Sequence, residues 1–115
     1  MILTSGSKVL VAHRRLFDGD TARYFVGLVD AYENGIAKVT GHTWLLNTVE
    51  GRFERKADQR TKIFSIISSG IFFYELPTAI QLDRLKLTNE GHAAFFLTDG
   101  AGFKMDLSEN FKSHR

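Results

Sequence analysis

Cysteine is absent from this 115-residue chain, proline occurs once, and no apolar run is long. Without a thiolate there is no disulfide, no thiol nucleophile, and no cysteine-ligated zinc or iron–sulfur cluster. The same absence fits a reducing compartment, and a cytoplasmic location is expected. No span approaches the ~18 apolar residues of a membrane helix. The first apolar run, Val9 to Ala12, is shorter than the roughly 7–15 residues of a signal-peptide core and follows no basic leader, so no membrane association is expected. Charge of one sign is scarce as well: 15 Lys and Arg against 13 Asp and Glu leave +2, with a pI near 9.0. That excess permits nucleic-acid binding without arguing for it. Its distribution says more. In "GRFERKADQRTK", Gly51 to Lys62, the five cations Arg52, Arg55, Lys56, Arg60 and Lys62 meet two anions. They read either as a solvated, mixed-charge β-hairpin or as an arm that tracks phosphates.

What the chain does have is short β-branched and aromatic runs separated by glycine-bearing turns, with no sustained helical spacing. An all-β fold is expected. "KVLVAHRRLF" forms a first strand, "DGDT" (Asp18 to Thr21) a turn, and "ARYFVGLVDAY" a second strand. Asn34-Gly35 supplies the left-handed positions of a tight hairpin, and "IAKVTGHTWLL" returns, with Gly41 marking a bend or bulge. After the charged stretch come "TKIFSII", a break at Ser68-Ser69-Gly70, and "IFFYEL", which Pro77 closes because it has no N–H to donate. Helix is confined to the region of Ala79 to Leu85, and the tail from Arg84 reads as three further short strands. Seven or eight strands in one domain, residues 1–115, suit a barrel or sandwich.

Three strands are apolar at successive positions: Val9 to Val11, Ile71 to Tyr74 and Ala93 to Leu97. A strand with one face in water should alternate. Either these strands cross the middle of a strongly bent small barrel, or a face or edge meets another subunit. For Ile71, Phe72, Phe73 and Tyr74 the interface is the preferred reading, since a 13.0 kDa domain has limited interior for rings on both faces.

Catalytic and metal patterns are sparse. The four histidines, His13, His42, His92 and His114, show neither i, i+4 spacing nor an HExxH pattern. "DGD" at Asp18 to Asp20 lacks the later bidentate glutamate of a calcium loop, and "DGAGF" at Asp99 to Phe103 lacks the rest of a phosphate-binding loop and reads as a hairpin. There is no GxSxG elbow. No cofactor and no enzymatic activity are expected, the remaining enzymatic alternative being a site shared between subunits.

Two motifs carry a resemblance. "DAYEN", Asp30 to Asn34, follows two strands, and "IISSGIFFYEL", Ile66 to Leu76, sets Ser69-Gly70 between two hydrophobic strands. Both resemble, in order and strand context, the motifs of the Sm-like proteins, the bacterial Hfq branch included, over about residues 9–76. Those are small, strongly bent barrels that assemble into rings and commonly bind RNA. The resemblance implies a ring of about five to seven copies. In its RNA site Tyr32 stacks on a base, Asn34 reads the base edge, Asp30 holds the loop, and Ser69-Gly70 lie at the second motif, where Ser69 replaces the family's arginine. Stacking of this kind contributes about 1–3 kcal/mol per base. The partners so implied are further copies of the chain and single-stranded RNA; the alternative is an adaptor ring that binds no nucleic acid.

Overall fold

The computed structural model describes residues 3–13, 23–47, 49–67, 70–90 and 94–107. The chain is all-β, with nine strands among the described residues: β1 (Lys8–His13), β2 (Arg23–Glu33), β3 (Ile36–Asn47), β4 (Arg52–Arg55), β5 (Arg60–Ser65), β6 (Ile71–Glu75), β7 (Lys86–Glu90), β8 (Ala94–Thr98) and β9 (Lys104–Asp106). The helix expected near residues 79–85 is a single 3-10 turn, Leu82–Arg84. The expected turns at Asp18 to Thr21 and Ser68-Ser69 lie wholly outside the described residues, as do His92 and His114.

All pairings are antiparallel. The larger sheet runs β4-β3-β2-β1-β6, and β5 also pairs with β3. The charged stretch is thus an interrupted strand that returns along β3: β4 covers Trp44 to Asn47 and β5 covers Ile36 to Gly41. The smaller sheet, β7-β8-β9, supplies the three C-terminal strands. Its β8–β9 turn is tied by the Asp99 carboxylate, which accepts from the N–H groups of Ala101 (2.8 Å) and Phe103 (3.0 Å). Those two bonds hold the Asp99 carboxyl below its ordinary pKa.

The larger sheet bends where β2 and β3 place glycines opposite each other, Gly27 against Gly41. A Cβ on Gly41 would lie 2.0 Å from the Val26 carbonyl oxygen, and one on Gly27 2.2 Å from that of Thr40. Only glycine allows this approach. The bend brings the terminal strands toward each other on the inner face, where the rings of Phe64 on β5 and Phe73 on β6 meet edge to face at 5.8 Å. Side chains, not a hydrogen-bonded ladder, bridge that seam, so the curl is not closed into a complete barrel among the described residues.

Two cores result, one on each face. The inner core holds Val9, Val11, Phe25, Val29, Val39 and Phe64. Phe64 is its aromatic hub, within 5.7 Å of Phe25 as well as touching Phe73, and such pairs add about 0.5–1.5 kcal/mol each beyond burial. The outer core lies between the sheets and joins Leu10, Tyr24, Val26, Trp44 and Phe53 to Leu87, Phe95, Leu97 and Leu107. The run Val9-Leu10-Val11 is therefore apolar throughout because its odd positions enter the inner core and Leu10 enters the outer one. Lys8 secures the crossing between the sheets: its Nζ donates to the carbonyls of Thr78 (2.7 Å) and Ile80. Asn89 on β7 adds a tie to the β3–β4 turn, donating to the Gly51 carbonyl at 2.6 Å.

Candidate functional sites

The "DAYEN" segment ends β2 and turns into β3. Asn34 (φ 51°) and Gly35 (φ 80°) both take the left-handed backbone that a two-residue hairpin turn demands. Just before it the register shifts between Val29 and Ala31, leaving Asp30 as the extra residue of a β-bulge. Thr40 donates its hydroxyl hydrogen to Asp30 Oδ2, and its oxygen lies 2.8 Å from the Thr61 hydroxyl, so one chain of polar contacts links β2, β3 and β5. The bulge also decides where Tyr32 goes. Without it, strict alternation from Val29 would turn Tyr32 outward; with it, Tyr32 pairs with Ala37 and packs half-buried against the inner core. The motif's acid, aromatic and asparagine thus hold a bulge, a core edge and a turn, and of the three side chains only Asp30 and Asn34 are exposed.

Outside this hairpin lies an open groove of about 360 Å³, lined by Ala31, Glu33, Asn34, Ile36, Lys38 and Ile63. A second cleft, of about 200 Å³, sits at the glycine bend, where His42 and Trp44 of β3 face Arg55, Gln59 and Asp83.

The five cations of the charged stretch do not form one stripe. Arg52 pairs with Glu50 at 2.8 Å, Arg55 lines the bend cleft, and the Lys56 N–H donates to the Thr43 carbonyl at 2.8 Å. Arg60 and Lys62 alternate with Phe64 on β5 and so belong to its inner face. There Lys62 Nζ lies 5.0 Å from the centroid of the Phe25 ring and donates to the Thr43 hydroxyl at 3.3 Å. Arg23, two residues before Phe25 on β2, shares that face, and His13 ends β1 with its ring 6.1 Å from that of Phe64. Burial, then the charges of Arg23 and Lys62, hold the His13 imidazole below its ordinary pKa. Burial, then Arg23 and Arg60, lower Lys62 in the same way. This cationic end of the inner core was invisible to a search for local motifs, since His13, Arg23, Thr43 and Lys62 come from four strands. The one usable signal was the alternation in "RTKIFS", which puts Arg60 and Lys62 on the same side as a buried phenylalanine.

In the second motif Gly70 occupies the turn before β6, and Ser69 lies outside the described residues. The aromatic strand divides its side chains between the cores: Ile71 and Phe73 pack on the inner one and Tyr74 on the outer one. Phe72 remains 44% exposed. Among the described residues no three His, Asp or Glu side chains gather as metal ligands, and no helix is long and apolar enough to cross a membrane. No protein-family model, curated protein or solved structure matches the chain.

Proposed function

We propose that this is an Sm-like assembly protein of the cytoplasm whose copies join edge to edge into a homo-oligomeric ring. The observation that carries the reading is the edge of β6. Among the described residues that strand pairs with β1 alone and stands last in its sheet, and it leaves Phe72 44% exposed. A long apolar edge is an open template for another strand, and natural proteins normally blunt or cover it. The strand at the other limit of the curl, β5, pairs among the described residues with β3 alone and leaves Ile63 69% exposed. Laying β6 of one copy beside β5 of the next satisfies both edges in a single head-to-tail contact, and such a contact, repeated with a fixed rotation, closes into a ring.

Native mass spectrometry on nuclease-treated protein tests this. A closed species of about five to seven copies is expected, and Phe72→Lys should reduce it to monomer while the β-type circular dichroism persists. A wild-type monomer at micromolar concentration, or an F72K variant that assembles unchanged, overturns the reading. Single-stranded RNA is the proposed ligand of such a ring, supported by the exposed cations Arg52 and Arg55 on β4, Lys56 just after it and Arg60 on β5. Adding oligo-uridine distinguishes that from an adaptor ring: uptake that falls steeply with salt marks phosphate neutralisation, and no uptake leaves an adaptor.

A further inference from the structure

We propose that the cationic end of the inner core, where Lys62 lies over the Phe25 ring and Arg23 and Arg60 share its face beside Thr43 and His13, binds a phosphate group. The site is built from one copy of the chain, so it stands independently of ring formation.

The argument begins with placement. Arg23 and Phe25 occupy one face of β2, and Arg60, Lys62 and Phe64 occupy the facing side of β5. Between them β3 contributes Thr43 opposite Phe25, while Gly41, opposite Arg60, adds no side chain. Three cations are therefore carried on one face by strands whose register is fixed by the ladder, with the fully buried Phe25 ring beneath Lys62. Lys62 is anchored among them: it rests over Phe25 and reaches the Thr43 hydroxyl.

Charge comes next. Among the described residues no carboxylate pairs with Arg23 or Lys62, and Arg60 has only the exposed Asp58, at 3.4 Å. Burial first, and then repulsion between like charges on this short surface, hold Lys62 and His13 below their ordinary pKa. A multiply charged oxyanion set among them adds an attraction to each cation that offsets their mutual repulsion. Two guanidinium groups and an ammonium present more donors than a carboxylate can use, and guanidinium geometry suits phosphate oxygens. His13 adds a proton-linked element. Its Nδ1 is buried without a hydrogen-bond partner among the described residues, and the charged groups acting on it are Arg23 of β2 and Lys62 of β5. A bound phosphate dianion favours the imidazolium, so the imidazole pKa rises on binding.

The probe is inorganic phosphate, followed by NMR titration of the His13 ring protons in the intact protein, with uridine 5′-monophosphate and uridine as comparison ligands. Saturable shifts at His13 and an upward move of its pKa are expected. Arg23→Gln and Lys62→Gln should each weaken binding by about tenfold or more, whereas Lys38→Gln, in the groove outside the hairpin, should not change it. Equal binding of phosphate and the nucleotide identifies a site for the free anion; binding of the nucleotide alone identifies a nucleotide's phosphate as the source. The proposal is overturned if neither saturates, if uridine binds as well as its monophosphate, or if R23Q and K62Q, still folded by their amide spectra, bind like wild type. Native mass is read on the same samples. A monomer that binds phosphate sinks the ring and keeps this site, and a ring that ignores phosphate does the reverse.

Discussion

On one side of the Gly27–Gly41 pair the outer face of the β2–β3 ribbon is covered; on the other that face meets water. Tyr24, Val26 and Trp44 lie under the smaller sheet, while Leu28 and Asp30, on the same face of β2, are exposed. The composition follows the cover. "YFV" is apolar throughout, whereas "AKVT" alternates, with Ala37 and Val39 turned inward. The same ladder continues through both halves, so strand propensity is not what separates them; the outer partner is. Breaking the hinge between the halves should have the largest effect. Gly41→Ala sets a methyl 2.0 Å from the Val26 carbonyl oxygen and 2.6 Å from the Gly27 Cα, both backbone atoms that cannot swing aside. A loss of more than about 3 kcal/mol in denaturant unfolding, or no cooperative transition, is expected. Gly51→Ala is the control, since no atom lies within 4 Å of its new methyl and the cost is that of a positive φ (72°), roughly 1–2 kcal/mol. A G41A protein as stable as G51A would mean that the strands do not approach this closely.

Removing the cover is the next largest perturbation. Leu97 of β8 is fully buried in the outer core, and Leu97→Ala should cost about 2–5 kcal/mol. Trp44, the sole tryptophan, is 8% exposed in that same core, so its fluorescence reports the contact between sheets while far-UV circular dichroism reports the strands. The two transitions should coincide in wild type and variant, because β1 and β2 serve both cores. If the fluorescence transition came first, the smaller sheet would be a separate unit, and the buried half of the ribbon would be only conditionally buried.

How much of this could be read in the chain follows from whether each signal was local. Asn34-Gly35, Pro77 and Asp99-Gly100 act through their own backbone, and the hairpin, the strand end and the turn stand where those residues place them. Gly41 was legible as a bend, but its partner Gly27 needs the register, which no local pattern supplies. The bulge at Asp30 is one residue of slippage, enough to send Tyr32 inward and to give a recognisable loop motif a structural occupation. The apolar run at Val9 to Val11 announced burial on both faces without saying by what; a barrel interior and a neighbouring subunit were the readings weighed, and the smaller sheet is what covers Leu10. The cationic site draws on β1, β2, β3 and β5, and only the tertiary fold assembles it.

The smallest effect makes the sharpest comparison. Val26 and Leu28 are two residues apart on one face of β2, on opposite sides of Gly27, and both line the bend cleft. Val26 is 6% exposed and Leu28 39%. Val26→Thr replaces a buried methyl with a hydroxyl in an apolar setting, which costs about 1–3 kcal/mol. Leu28→Thr puts a β-branched residue of high strand propensity on a solvated surface and should stay within about 0.5 kcal/mol of wild type. Both are read from thermal or urea unfolding at low protein concentration, where copies are apart. Repeating the measurement at high concentration then asks whether the open half stays open. A Leu28→Thr penalty that grows with concentration means that another copy covers Leu28, which would extend the proposed edge contact onto this face. A penalty that stays flat leaves Leu28 in water and confines assembly to the strand edges.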